Sequence, residues 1–420
     1  MAPVKAICTV CGELIEADAA KDAAICPKCG EAFVVSKAIS LYTESGTHPT
    51  EEEQSEFVIE DNILTQYTGS SVKIVIPDGI VEIGENAFAG NTRIVEVVVP
   101  PSVKVFNANA FNNCRSLTYI NIPYGTKKIR NSAFMGCGLI DVTIPGTVKK
   151  VGDNSFHDCI RLKNVIIEEG VTTIGVYAFC KCRSIESISL PSTLTAIEKG
   201  GLRGCASLKE INLPEGLETI EKDAFFNCDG IKGLTIPKSV RSIGIDFVGG
   251  CSTLESFTVP ETVQYYSVGA DSYFGCTSLK EITLPSCVRE IGENAFKGCG
   301  ELEKINLPRS IKKIRQGAFR DCISLSEINL PEGLQTIEAN AYSGCVNLIR
   351  VALPQTVIEV DEKAFEGLTR IEKVEAPKSC YKCFKETTWA KREGRWTNAK
   401  NCAICGKSTN IFGKCKYCNR

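Results

Sequence analysis

The sequence predicts a mainly β repeat solenoid, because one unit of about 23 residues recurs through most of the chain. Residues 279–299, LKEITLPSCVREIGENAFKGC, show the unit in full. Ile282 and Leu284 alternate as a short strand, a proline ends that strand, and an Ala-Phe pair precedes a closing cysteine. A fixed period of this length marks an architecture in which each turn buries its apolar side chains against its neighbours. We expect about thirteen turns.

Two kinds of residue recur in step and set the period. Glu168 takes the place of the strand-ending proline once, and the prolines themselves are Pro77, Pro100, Pro123, Pro145, Pro191, Pro214, Pro237, Pro260, Pro285, Pro308, Pro331, Pro354 and Pro377. Leu202 replaces the aromatic residue once, and the aromatic positions are assigned to Phe88, Phe111, Phe134, Phe156, Phe179, Phe225, Phe247, Phe274, Phe296, Phe319, Tyr342 and Phe365.

A column of cysteines closes the units, at Cys114, Cys137, Cys159, Cys182, Cys205, Cys228, Cys251, Cys276, Cys299, Cys322 and Cys345. Metal or redox chemistry is one interpretation of this column. The other is structural, since cysteine is a small, frequently buried residue whose weak S–H donor can face backbone in a tight corner. The sequence favours the structural interpretation. Cys180 and Cys287 lie off the column.

Four cysteines near the N terminus predict a structural zinc site within residues 1–42. Cys8 and Cys11 form one CxxC pair, and Cys26 and Cys29 form another after fourteen intervening residues. Two thiols at this spacing fit adjacent corners of a tetrahedron, so two pairs complete a closed four-cysteine zinc ribbon. Metal binding then supplies folding energy that so small a module lacks.

The next segments predict a linker and a cap. Residues 43–56, TESGTHPTEEEQSE, are polar and acidic, as in a flexible linker. Residues 57–67 alternate on both sides of Asp61 and Asn62, which predicts a hairpin that covers the open edge of the solenoid within residues 57–76. The repeats then occupy residues 77–377.

A second structural zinc ribbon is predicted at residues 397–420. Cys380 and Cys383 form a further pair that could share a metal with the first pair of this ribbon, but they fall where a capping helix is expected. The favoured ligands are Cys402, Cys405, Cys415 and Cys418. The chain is therefore expected to bind two Zn²⁺ ions.

The pattern LxxIxLPxxVxxIxxxAFxxC resembles the BspA-type leucine-rich repeats, from residue 57 to about residue 396. The resemblance implies a right-handed solenoid with a parallel sheet along one face, an opening hairpin and, over residues 378–396, a closing helix with Trp389 on the last turn. The resembling family includes surface adhesins. The N-terminal sequences CxxCG and CPKCG resemble those of a ribbon found at the N terminus of cytoplasmic bacterial proteins.

The composition of the chain indicates its cellular location and the kinds of partner it could bind. No apolar run of signal-peptide length opens the chain and no stretch is long enough to span a membrane, so we expect a cytoplasmic protein with reduced thiols. The net charge is −2, but the segment from Lys378 onward holds eleven basic and two acidic residues. That basic tail is the one candidate for binding nucleic acid.

Candidate partner-binding residues lie on the sheet face and in one irregular turn. Tyr119 belongs to an outward column of mixed charge, four residues before the prolines. The turn between Pro260 and Pro285 is two residues longer than the others and contains Tyr265, Tyr266 and Tyr273. Insertions in solenoids usually loop outward, although these rings could equally fill the core.

No catalytic motif is present in the sequence, and two closed zinc sites would leave no open metal position. The favoured hypothesis is a non-enzymatic protein-interaction scaffold. The alternatives are a nucleic-acid-associated protein that binds through the basic tail, and a cell-surface adhesin.

Overall fold

The computed structural model describes residues 4–8, 14–17, 23–25, 32–34, 56–368 and 370–377. The chain divides into two compact units, residues 1–217 (unit 1) and residues 218–420 (unit 2). The repeats form a mainly β parallel solenoid of about 14 turns, and the described residues contain no helix. The linker up to residue 55 and the segments 378–396 and 397–420 lie outside the described residues.

Unit 1 contains eighteen described strands. They are β1 (Val4–Ile7), β2 (Leu14–Ala17), β3 (Ala23–Ile25), β4 (Ala32–Val34), β5 (Phe57–Glu60), β6 (Ile63–Tyr67), β7 (Lys73–Val75), β8 (Glu82–Ile83), β9 (Glu96–Val98), β10 (Val105–Phe106), β11 (Tyr119–Ile120), β12 (Lys128–Ile129), β13 (Asp141–Ile144), β14 (Lys150–Val151), β15 (Asn164–Ile167), β16 (Thr173–Ile174), β17 (Ser187–Ser189) and β18 (Ala196–Ile197).

Unit 2 contains thirteen described strands. They are β19 (Thr219–Ile220), β20 (Gly233–Thr235), β21 (Ser242–Ile243), β22 (Ser256–Thr258), β23 (Glu281–Thr283), β24 (Glu290–Ile291), β25 (Lys304–Asn306), β26 (Lys313–Ile314), β27 (Glu327–Asn329), β28 (Thr336–Ile337), β29 (Arg350–Ala352), β30 (Glu359–Val360) and β31 (Lys373–Glu375).

Most turns contribute to two parallel sheets, not to the single sheet that the resemblance implied. Sheet A is our name for the strands just before the prolines, which hydrogen-bond in segments: β7–β9–β11 and β13–β15–β17 in unit 1, and β20–β22–β23–β25 and β27–β29–β31 in unit 2. Sheet B consists of the two-residue strands that follow, which are β8, β10, β12, β14, β16 and β18 in unit 1, and β19, β21, β24, β26, β28 and β30 in unit 2. The second sheet forms because the Val-x-x-Ile words of successive turns also lie in register.

Two backbone positions per turn adopt a left-handed conformation, which explains the residues that recur there. Asn86 has φ of 58° and Gly90 has φ of 74° in one turn, and Asn294 has φ of 52° and Gly298 has φ of 75° in another. Asparagine, aspartate and glycine tolerate this conformation better than other residues. In the recurring Asn-Ala-Phe-x-Gly-Cys sequence, the asparagine and glycine therefore allow the backbone to turn, while the alanine, phenylalanine and cysteine fill the core.

Stacked aromatic rings fill the core of each unit. In unit 1, neighbouring ring centroids from Phe88 to Phe179 are 4.5 to 5.5 Å apart. In unit 2, the stack runs from Tyr273 through Phe296, Phe319 and Tyr342 to Phe365, with centroids 4.6 to 5.3 Å apart. Each turn thus buries its ring against the turns on either side.

Two of the assigned aromatic positions are wrong. Tyr273, not Phe274, stacks on Phe296, and Phe274 is 55% exposed. Val248 takes the ring position of the preceding turn, three residues before Cys251, while Phe247 packs edge-on against Tyr266. Counting back from the cysteine gives the correct position in both turns, whereas counting from the nearest phenylalanine does not.

A hairpin covers the start of sheet B in unit 1. Strands β5 and β6 pair antiparallel, with Asp61 and Asn62 in the left-handed conformation at the turn. Tyr67 of β6 stacks on Phe88 with a centroid distance of 5.3 Å. The hairpin therefore extends the ring column and occupies the edge of β8.

Candidate functional site

Two short antiparallel strand pairs are described near the N terminus. β1 pairs antiparallel with β2, and β3 pairs antiparallel with β4. Cys8 directly follows β1 and is fully buried, while the CxxC word of residues 26–29 falls between β3 and β4. Cys8 is thus the one predicted zinc ligand that the described residues include. The other seven predicted ligands, Cys11, Cys26, Cys29, Cys402, Cys405, Cys415 and Cys418, lie outside the described residues.

The cysteine column hydrogen-bonds to the backbone. Ten of the eleven thiols donate to the main-chain oxygen at the ring position of the preceding turn, as Cys182 does to Phe156 at 2.9 Å and Cys322 to Phe296 at 3.1 Å. The same bond, at 3.0 to 3.4 Å, is made by Cys114, Cys137, Cys159, Cys205, Cys251, Cys276, Cys299 and Cys345. These thiols satisfy buried backbone acceptors, as the structural interpretation of the column requires.

Burial also suppresses the reactivity of these thiols. Desolvation raises the pKa of Cys276 and of Cys345 to about 12. It raises the pKa of Cys182 well above its ordinary value, and a hydrogen bond with Cys159 acts in the same direction. Cys287, off the column, is only partly buried. The thiolate is the reactive form, so Cys182, Cys276 and Cys345 are poor nucleophiles at neutral pH.

The irregular turn divides its tyrosines between core and surface. Tyr265 is 69% exposed, whereas Tyr266 and Tyr273 are buried and their hydroxyl groups contact each other. The extra residues form a local bulge in which Tyr265 pairs with Ser242 and Val268 pairs with Ile291. Both Tyr266 and Val268 therefore point inward, and Tyr265 alone of these three tyrosines is accessible.

Tyr119 is half-buried on sheet A of unit 1. Burial raises the pKa of its hydroxyl, and the carboxylate of Glu96 and the thiol of Cys8 add to that effect. Asn121, two residues further on, is buried, and its side-chain amide exchanges two hydrogen bonds with the backbone of Val99, at 2.7 and 2.8 Å. This part of the sheet is therefore less open than the outward columns suggested.

Elsewhere on sheet A, the outward charges pair between neighbouring strands. Lys73 and Glu96 lie 3.4 Å apart in unit 1, and Glu281 and Lys304 lie 3.5 Å apart in unit 2. All four side chains are partly exposed, so each pair contributes little to stability. The acidic and basic residues that the sequence places in this outward column therefore form ion pairs across neighbouring strands.

One region of sheet A in unit 2 departs from this pattern and forms a groove of about 660 Å³. Its floor is the backbone of β20 and β22, where the outward positions are Gly233 and Ser256, and Lys238 and Glu261 stand at one end. A Cβ atom added to Gly233 would have no neighbour within 4 Å. The groove exists because glycine and serine replace the long charged side chains of β23 and β25.

Two phenylalanines flank a second small residue on another side of unit 2. A Cβ atom added to Gly249 would lie only 2.9 Å from ring carbons of Phe226, so the ring packs closely over this glycine. Phe274 belongs to the next turn. The Gly250 N–H donates a hydrogen bond to the Phe274 oxygen at 2.9 Å, which places Phe274 beside this part of the chain. Sequence reasoning missed both this cluster and the groove, although Gly233 stands out in a column of charged and polar residues.

Two parallel sheets per turn, a stacked ring column and a closing cysteine column define a leucine-rich-repeat solenoid of short-strand type. The chain belongs to the BspA-type leucine-rich repeat family, whose profile matches residues 58–140, 127–255 and 246–372. No curated protein sequence matches the chain.

Several solved structures of leucine-rich repeat proteins are similar to this chain. A leucine-rich repeat protein from Bacteroides ovatus is 30% identical, with a TM-score of 0.61 over 76% of this chain and 91% of that one. A leucine-rich cell surface protein from Faecalibacterium prausnitzii is 24% identical, with a TM-score of 0.46 over 76% and 92%. A leucine-rich repeat protein from Eubacterium ventriosum is 23% identical, with a TM-score of 0.48 over 67% of this chain and 88% of that one.

Along the described stretches, no helix combines the length and apolar character that a membrane crossing requires.

Proposed function

We propose that this chain is a non-enzymatic protein-interaction scaffold whose partner binds sheet A of unit 2. The groove over Gly233 and Ser256 carries this proposal. It offers an open strip of backbone and small side chains between surfaces on which charged side chains pair with one another. An extended polypeptide segment fits such a strip, because its main chain can approach closely and Lys238 and Glu261 offer it a cationic and an anionic group at one end.

Exposed aromatic residues add anchor points to the same unit. Tyr265 is 69% exposed and Phe274 is 55% exposed, and both belong to the irregular turn. Aromatic side chains are enriched among the residues that supply most of the binding energy of protein interfaces. We therefore include Tyr265 in the partner-binding surface and leave out the buried Tyr266 and Tyr273.

Variants that fill the groove test the proposal. Gly233→Lys introduces a long side chain where its Cβ atom meets nothing, so the fold should tolerate it. Asn329→Lys places the same side chain at an exposed outward position of sheet A outside the groove and serves as the matched control. Affinity capture from native cells should recover a common protein with the wild-type chain and with Asn329→Lys, and lose it with Gly233→Lys. Recovery by all three chains would contradict a partner site in the groove.

We also propose that each end of the chain holds one structural Zn²⁺ ion. Cys8, Cys11, Cys26 and Cys29 would bind the first ion, and the ligands of the second would be Cys402, Cys405, Cys415 and Cys418. The hairpins β1–β2 and β3–β4 support the N-terminal site. These closed sites would fix the two terminal modules and take no part in a reaction.

A cytoplasmic location is part of the same proposal, since zinc thiolates and free column thiols both suit a reducing compartment. Metal analysis of protein purified without added metal should give two zinc ions per chain. Double substitutions Cys8→Ser with Cys11→Ser, and Cys402→Ser with Cys405→Ser, should each remove one ion. Fractionation of native cells should place the protein in the cytosol, and oxidised column thiols would contradict that location.

A further inference from the structure

Two successive turns of unit 1 carry basic residues and no acidic ones. Between Glu96 and Asp141 the sequence contains no aspartate or glutamate. The whole chain has 50 acidic residues among 420, or about one in eight, so their absence from 44 consecutive positions is unusual. The left-handed corner that Asp223 occupies in unit 2 is taken in these turns by Asn109 and Ser132. This part of unit 1 therefore presents only positive and neutral side chains.

Five basic side chains lie on or beside sheet B in these two turns and the turn that follows. The pairing of β12 with β10 and with β14 places Lys104, Lys127 and Lys149 in one column. Neighbouring strands in a sheet are about 4.8 Å apart, so the column is about 10 Å long. Lys128 and Arg130 are exposed and continue the surface along the middle turn. We call this cluster the basic patch: Lys104, Lys127, Lys128, Arg130 and Lys149.

The basic patch forms no ion pair with a carboxylate in the part of the chain that the structure describes. The ammonium groups of Lys104 and Lys149 donate to backbone oxygens, at 2.7 and 3.1 Å, which leaves their charge uncompensated. Asp153, in the turn after β12, pairs instead with Lys150 at 3.0 Å. Lys150 also pairs with Glu198 at 2.6 Å. Lys150 is therefore neutralised, whereas the neighbouring patch keeps its positive charge.

The same four residues recur in unit 2 with carboxylates beside them. Residues 127–130 and residues 312–315 both read KKIR. In unit 2, Arg315 lies between two carboxylates, 2.9 Å from Glu290 and 3.3 Å from Glu338. At the positions that correspond to those two acids, unit 1 has a valine and a glycine. The fold can therefore accommodate counter-charges beside this sequence, but unit 1 does not supply them at those positions.

An exposed aromatic ring lies beside the patch. Tyr124 is 49% exposed and belongs to the corner that precedes Lys127. The ammonium group of Lys104 lies against the same corner, since a Cβ atom added to Gly125 would be 3.1 Å from its nitrogen. Proteins bind single-stranded nucleic acid with this combination, because bases stack on the ring while the cations contact phosphates. An acidic peptide would use the cations but not the ring.

We propose that the basic patch and Tyr124 bind a short segment of single-stranded nucleic acid. One base stacks on the tyrosine ring, while the phosphates beside it contact the ammonium and guanidinium groups of the patch. Contacts of this kind tolerate many base sequences and weaken as the salt concentration rises. The proposal concerns unit 1 and does not rest on the groove of unit 2.

Fluorescence anisotropy of a labelled twelve-nucleotide oligothymidylate, titrated with the full-length protein, tests the proposal. Tyr124→Ala should weaken binding at least about fivefold, the low end of what one stacked base contributes, while Tyr124→Phe should bind like the wild-type chain. Lys127→Ala with Lys128→Ala should weaken binding and lower the slope of log K against log salt by about 1.4, because each phosphate contact with a single strand contributes about 0.7. Unchanged affinity in both the Tyr124→Ala and the double-lysine variants would overturn the proposal, since the probe would then bind elsewhere, as on the basic tail.

The KKIR sequence of unit 2 provides the matched control. Lys312→Ala with Lys313→Ala removes the same two exposed charges there, and should leave both the affinity and the salt slope unchanged. An equal loss in the two double-lysine variants would contradict a site on the patch. A polyglutamate peptide of equal charge should compete at least about fivefold less well than unlabelled oligothymidylate. Equal competition, together with unchanged affinity in Tyr124→Ala, would show that the patch binds acidic polypeptides and would contradict nucleic-acid binding.

Discussion

Alkaline pH should unfold unit 2, because its buried thiols resist ionisation. Burial raises the pKa of Cys276 and Cys345 to about 12, compared with about 8.5 for a free thiol. A group whose pKa is raised on folding contributes stability that is complete below the unfolded pKa and is lost as pH rises towards the folded pKa. The sensitive window therefore runs from about pH 9 to about pH 12.

The magnitude follows from the number of thiols. Each such group lowers the free energy of unfolding by about 1.4 kcal/mol per pH unit within the window. Burial also raises the pKa of Cys251, Cys299 and Cys322 well above the ordinary value. Five thiols then remove about 7 kcal/mol per pH unit, against a typical total stability of about 5–15 kcal/mol. We expect unfolding one to two pH units above the start of the window, at about pH 10 to 11.

Urea unfolding of the full-length protein between pH 8 and pH 11, followed by far-ultraviolet circular dichroism, measures this slope. The double variant Cys299→Ala with Cys322→Ala is less stable at pH 8, because it loses packing and two hydrogen bonds. Its stability should nevertheless fall with pH about two-fifths less steeply, since two of the five thiols are gone. A stability that is flat to pH 10.5, or an unchanged slope in the variant, would refute the reasoning.

Three further predictions follow from the core, the thiols and the metal sites. Phe296→Ala should lower the stability of unit 2 by about 3–5 kcal/mol, and Phe296→Leu by less, because the ring is fully buried between Tyr273 and Phe319; local hydrogen exchange measures both. Alkylation at pH 8 with peptide mapping should modify Cys287 at least about a hundredfold faster than Cys345, and equal rates would contradict the burial of the column. A strong chelator should abolish the protection of residues 4–34 from exchange and leave residues 57–368 unchanged; a chelator-insensitive N-terminal module would argue against zinc there.

The repeat fold could be predicted from the sequence because its signals are local and periodic. Proline ends the strand, asparagine and glycine mark the left-handed corners, and a cysteine closes each turn, so one turn predicts the next. The predicted structural role of the thiol column is confirmed by the hydrogen bond from Cys322 to the Phe296 oxygen. Sheet B was missed because two-residue strands give too short an alternation to recognise.

Surface features could be predicted less well, because they depend on residues in neighbouring turns. Tyr265 and Tyr266 are adjacent in the sequence, yet a bulge exposes one and buries the other. The groove over Gly233 arises only when the outward positions of several strands are compared in register. The pairing of Arg315 with Glu290 and Glu338 likewise depends on acids that lie one turn away on each side.

The central claim is that a partner binds sheet A of unit 2, and a direct titration tests it. The protein captured by the wild-type chain would be purified and titrated calorimetrically against the wild-type chain, Gly233→Lys and Asn329→Lys. We predict that Gly233→Lys weakens binding at least about tenfold, a change of about 1.4 kcal/mol, while Asn329→Lys binds like the wild-type chain. Equal affinity for all three chains would contradict the account.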